Sequence, residues 1–243
     1  MRNALSTCLA SLCLLGCGGG GDAGPTPLKH HFDDMHIAAV EMGDKQPVMQ
    51  TQNDYSIAKM EHAKADADYN ESGTKLDVAK NERQQALLAE KSAKTEKKAA
   101  DDSNDMNRVN SSAAEMRRAE LARKAADEKV AYLEAQRKYL KKFVRYTEEN
   151  MYAKEAKFEL SKARVAKQKN IKPKGFELSV YERQYKDRSE RAQRARAVAD
   201  RERSKANEKK KKWQSLAGAA EKKTGGDTTG GDTTEGGGDG GGS

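Results

Sequence analysis

Ala58, Ala65, Ser72, Ala79, Ala86, Ala93 and Ala100 stand seven residues apart, one behind another. On an α-helix this spacing draws one line of small side chains down a single face. A second line, Tyr55, His62, Tyr69 and Leu76, runs beside it. Two later stretches keep the same period. Val130, Val144, Met151, Phe158 and Val165 share a heptad line that only Arg137 interrupts. Leu133 and Leu140 lie on one side of that line, and Tyr132, Tyr139, Tyr146, Ala153 and Leu160 on the other. Leu178, Tyr185, Ala192, Ala199, Ala206 and Trp213 form the third line. Sustained sevenfold spacing commits a chain to long helices that each bury a narrow seam. A compact globule is excluded from the other side. With charged residues at 35% and aromatic residues at 5%, too few large apolar side chains exist to fill one.

The breaks in the pattern divide the helices. Asp101, Asp102, Ser103, Asn104 and Asp105 suit a turn and an N-cap. Pro173 and Gly175 end the second periodic stretch. The expected fold is therefore all-α: an elongated antiparallel coiled coil of two to three long helices, at about 53–101, 105–170 and 176–221. Helices of this length extend about 70–95 Å at 1.5 Å per residue. Apolar lines on two sides of the second helix call for two neighbours. The third helix is thus expected to fold back, so that Val144, Met151 and Phe158 face both partners. The stretch Phe158 to Val165 would then be covered mainly by the third helix. Residues 17–52, with Pro25, Pro27 and Pro47, read as a flexible, solvated linker that has room for a short turn of helix around Asp33 to Glu41. Residues 222–243 repeat Gly-Gly-Asp-Thr-Thr and read as a disordered tail, because glycine pays the largest ordering entropy and nothing apolar offsets it.

One cluster carries metal-ligand chemistry: His30, His31, Asp33, Asp34 and His36. No cysteine assists it and no second rigid half follows, so a solvated linker is the favoured reading and no metal or other cofactor is expected. Neither a nucleophile–base pair nor a glycine loop opening a helix is visible, and the chain is not expected to be an enzyme.

The N-terminus has a different texture. After Arg2, the run from Ala4 to Leu15 is mostly apolar. It is too short to span a bilayer, which needs about 20 residues. A positive start followed by a short apolar run describes an export signal. The run ends on Leu14-Leu15-Gly16-Cys17, which resembles the lipobox of bacterial lipoproteins. The resemblance implies that residues 1–16 are a signal peptide that is removed. It also implies that Cys17 carries lipid as the new N-terminus, and that the membrane is a partner through that lipid. Cys8 and Cys13 would leave with the signal, so no thiol would remain for a disulfide or a zinc site. The Ala- and Lys-rich body is similar in texture to helical lipoproteins of Gram-negative envelopes. That likeness implies a place in the bacterial cell envelope, facing the periplasm, with the outer membrane favoured over the inner. The hairpin also resembles the coiled coils of efflux adaptor proteins, but the Arg-Leu-x-x-Asp tip motif and a β-rich neighbour are both missing.

Charge offers the remaining clue. The chain is +8, and because each end is −2 the helical part carries +12. The excess peaks in the third helix at Arg188, Arg191, Arg194, Arg196, Arg201, Arg203, Lys209, Lys210, Lys211 and Lys212. Part of this is ordinary solvated helix surface. The sharper reading is a face for an anionic partner: phospholipid headgroups, an acidic envelope polymer or nucleic acid. Taken together, these features point to a membrane-anchored envelope lipoprotein acting as spacer, scaffold or accessory interaction subunit. Its partner would be a protein or an anionic envelope polymer, and homo-oligomerisation is left open. The alternative is an intracellular basic coiled coil that binds nucleic acid electrostatically, a partner an exported chain rarely meets. Steep salt dependence of duplex binding would mark that alternative.

Overall fold

The computed structural model describes residues 24–224. Cys17 and the glycine-rich tail lie outside the described residues. Three long helices fill most of the remainder: α1 Gln46–Asp101, α2 Met106–Gln168 and α3 Leu178–Thr224. The first begins earlier than the sequence suggested, because Pro47 sits in its opening turn. Proline there sacrifices no hydrogen bond, since the first amides of a helix have no partner within it.

Both turns follow from local chemistry. Between α1 and α2 the chain reverses over Asp102–Asn104, with Asn104 in the left-handed region at φ 56°. Asp105 then caps α2, its carboxylate accepting from the amides of Asn107 at 2.9 Å and Arg108 at 3.3 Å. At the other end Asn170 takes φ 58°. The amide of Ile171 bonds back to the carbonyl of Ala166 at 2.8 Å, and that of Asn170 to Lys167 at 3.1 Å. This pair of bonds satisfies the last carbonyls of α2 and turns the chain away from its axis.

The second helix lies between the other two. Both α1 and α3 pack along it, but no Cα of α1 comes within 8 Å of α3. The alanine line of α1 is the seam against α2: Ala58, Ala65, Ala79, Ala93 and Ala100 are buried, with Ala65 only 1% exposed. Small side chains let the helices approach closely, and polar pairs then set the register. The Thr51 and Ser161 hydroxyls meet at 2.7 Å, and His62 Nδ1 meets Thr147 Oγ1 at 3.3 Å. Arg83 pairs with Asp127 at 2.9 Å and Arg123 with Glu90 at 2.5 Å. On the other flank Ala192, Ala199 and Ala206 are buried. Trp213 stacks on Tyr132, with ring centroids 5.6 Å apart and planes within 6°. The tyrosine line of α2 is therefore packing, and Trp213 completes its heptad line. Val144, Met151 and Phe158 are only half-buried, since α2 is flanked by its neighbours rather than enclosed.

Two expectations need correction. The described part of the expected linker is packed. Pro25, Leu28, Phe32 and Ile37 are buried, and residues 46–52 belong to α1; the short helical turn for which the sequence has room is a 3-10 turn at Asp34–Ile37. The segment holds its place by burying spaced apolar side chains that the prolines and polar residues around them disguise. For the same reason the end of α2 is not covered mainly by α3. Phe32, Ile37 and Val48 bury Val165, Ala163 and Ala166 together with Phe158, Ile171, Phe176, Leu178 and Tyr181.

Candidate functional site

Among the described residues, a buried pair of opposite charges lies at the base of the helices, where residues 24–40 lie on α2 and α3. Glu159 and Lys162, three residues apart on α2, are each 4% exposed. They pair at 2.8 Å and together grip the backbone of Phe32. The Phe32 amide donates to Glu159 Oε2 at 2.6 Å, and Lys162 Nζ donates to the Phe32 carbonyl at 3.0 Å. Lys162 also reaches Asp34 at 2.9 Å and lies over the Phe158 ring at 4.4 Å. Desolvating both ions is expensive, and these added bonds are what offsets it. The Phe32 ring meets His36, Phe176 and Tyr181 edge-on, at centroid distances of 5.7, 5.7 and 6.0 Å.

Two side chains of α3 hold the segment further up. The Gln184 amide group accepts from the amides of Lys29 and His30 and donates to the His30 carbonyl at 2.8 Å. Arg188 donates to the Thr26 carbonyl at 2.6 Å and the Pro27 carbonyl at 3.2 Å, with its guanidinium over Tyr152. Gly24 ends the described chain against the side chains of Arg145 and Glu148.

This geometry redistributes the residues singled out from the sequence. Arg188 is 7% exposed and committed to backbone carbonyls, so it leaves the proposed anionic-partner face. Arg191, Arg194, Arg196, Arg201, Arg203 and Lys209 to Lys212 are exposed. They are not gathered on one side. At about 100° per residue, Arg194 and Arg201 point outward, Arg196 and Arg203 fall toward one flank, and Arg191 and Lys212 toward the other. Arg194 pairs with Glu190, Arg196 with Asp200 and Lys212 with Glu128. The histidine–aspartate cluster is dispersed. Asp33 caps the 3-10 turn, Asp34 meets Lys162, His36 packs on Phe32, and His31 Nε2 lies 3.2 Å from the Leu28 carbonyl. Among the described residues no group of three or more side chains is arranged to hold a metal ion. Sequence reasoning missed Phe32, Glu159, Lys162 and Gln184. A lone phenylalanine in a polar stretch was the available signal.

Glu155 sits beside this site. Burial raises its carboxyl above the ordinary glutamate value and Glu159 adds to the rise, while His31, a hydrogen bond from Tyr55 and Arg188 pull the other way. A raised carboxyl contributes stability that is complete below the ordinary glutamate pKa and lost as pH rises through the raised value. Glu155→Gln should remove that loss. In thermal melts the variant should gain stability over the parent as pH rises through and above the ordinary glutamate range. An unchanged difference across that range would count against the assignment.

No family model, curated protein or solved structure matches this chain.

Proposed function

We propose that the chain is a lipid-anchored structural protein of the bacterial cell envelope. In this reading it is a spacer or scaffold without catalysis of its own, and its helices present basic side chains to a protein or an anionic envelope polymer. The observation that carries the proposal is Leu14-Leu15-Gly16-Cys17 at the end of a short apolar run. Among the described residues no helix is long and apolar enough to cross a membrane, so the anchor in this reading is the lipid on Cys17. Several acyl chains on one cysteine, each CH₂ contributing about 0.8 kcal/mol on burial, suffice for stable attachment. Three long helices packed side by side suit separation or bridging better than turnover of a small molecule.

Cells fed labelled palmitate test it. Wild-type protein should carry label, and Cys17→Ser should lose all of it and accumulate as uncleaved precursor or as soluble material. An unmodified Cys17 in the intact wild-type mass spectrum would sink the reading. If that protein also bound duplex DNA with a steep salt dependence, the nucleic-acid alternative would take its place.

A further inference from the structure

The position of Gly24 fixes where an anchor on Cys17 leaves the body, and it is not at an end. Gly24 rests against Arg145 and Glu148 of α2. These residues lie 20 to 23 positions before the helix ends at Gln168, which is about 30–35 Å along its axis. The far end of α2, at Met106, is about 60 Å away in the other direction. Only seven peptide steps separate Cys17 from Gly24. Fully extended, they span about 25 Å. A body standing upright on its base would hold Gly24 beyond the reach of any membrane touching that base.

The side from which Gly24 emerges has a chemistry of its own. Residues 24–32 lie on the face of α2 that carries Arg145, Tyr152 and Glu159. The opposite face carries Asn150, Lys154 and Lys157, about 200° away around the helix from Tyr152 to Lys154. Beside the bound segment runs a cleft of about 350 Å³, lined among others by Lys29, Arg183, Asp187 and Arg191. Lys29, Arg183 and Arg191 are exposed, and no ion pair engages them among the described residues. The buried Nη1 of Arg188, in the same cleft, has no acceptor. Three free cations against one carboxylate suit a surface of anionic headgroups, each cation near such a surface being worth about 1 kcal/mol.

We propose that the protein lies along the membrane on the side that carries residues 24–32, with Lys29, Arg183 and Arg191 against anionic lipid headgroups. This rests on lipidation of Cys17. A tether of about 25 Å and a base about 30–35 Å beyond it tilt the helices at least about 35° from the membrane normal. A body about 95 Å long then rises no more than about 85 Å above the bilayer, and far less when it lies along it.

The test uses the full-length lipidated protein, purified in detergent and reconstituted into a supported bilayer of phosphatidylethanolamine and phosphatidylglycerol. Neutron reflectometry reads the thickness of the protein layer. The expected result is a layer well under about 85 Å. The combined variant Lys29→Glu, Arg183→Glu, Arg191→Glu should give a measurably thicker layer on the same bilayer. A wild-type layer of about 95 Å would overturn the inference while leaving the anchor intact. Equal thickness for wild type and variant would overturn the headgroup contact. Mass spectrometry of the same sample separates the remaining case: an unmodified Cys17 would overturn the anchor, and this inference with it.

Discussion

Lys162→Ala should cost about 3–5 kcal/mol of stability, because it leaves Glu159 charged and buried without its partner. Lys162 bonds the Phe32 carbonyl, Glu159 and Asp34 and sits on the Phe158 ring, whereas His31 lies 3.9 Å from Glu159. Chemical denaturation reads the cost directly. Hydrogen exchange reads where it falls: the Phe32 amide, which donates to Glu159, should lose protection before the amides of mid-α2. Replacing Glu159 and Lys162 together by glutamine and methionine should cost far less than Lys162→Ala alone, since no orphan charge remains. A single-variant cost under about 1 kcal/mol would mean that the ions are wet and the grip on Phe32 is weak.

Leu160→Ala should be nearly as damaging, at about 2–5 kcal/mol. Leu160 is the largest fully buried side chain among the described residues, in a structure whose seams are otherwise mostly alanine. An alanine seam has little volume to shift into a vacancy, so the cavity should persist and the cost should sit toward the upper part of that range. Ile57→Ala is the control. Ile57 is 42% exposed on α1, and its truncation should stay within about 0.5 kcal/mol. Equal costs for the two variants would show that Leu160 is not buried as described.

How much of this could be read from residues alone depends on periodicity. The seam Ala58 to Ala100 was legible because seven-residue spacing states both the helix and its buried face. The turn at Asp101–Asp105 and the stop at Ile171–Gly175 were legible because capping chemistry is local. Residues 24–45 were not. Their anchors, Leu28, Phe32 and Ile37, are four and five apart among prolines and polar residues, and such spacing states no element. Their partners were equally silent, for Glu159 and Lys162 look like any exposed i,i+3 pair until another segment covers them. Arg188 was indistinguishable in sequence from the arginines after it. Only its place on the inner edge of α3, beside the segment from Thr26 to His30, takes it out of solvent. The absence of contact between α1 and α3 was also hidden, since apolar lines on two sides of α2 call for two neighbours without saying whether those neighbours meet.

That last feature has a mechanical consequence. With α1 and α3 both packed along α2 and no Cα of one within 8 Å of the other, the cross-section is an open ribbon, broader across α1 and α3 than through α2. Bending stiffness grows with the square of the depth in the bending direction for a given cross-sectional area. With interaxial spacings of about 8–10 Å, such a ribbon resists in-plane bending several-fold more than bending across its thin dimension. The helices would flex like a leaf spring, yielding toward or away from a surface laid against their broad side while keeping their length and lateral alignment under load.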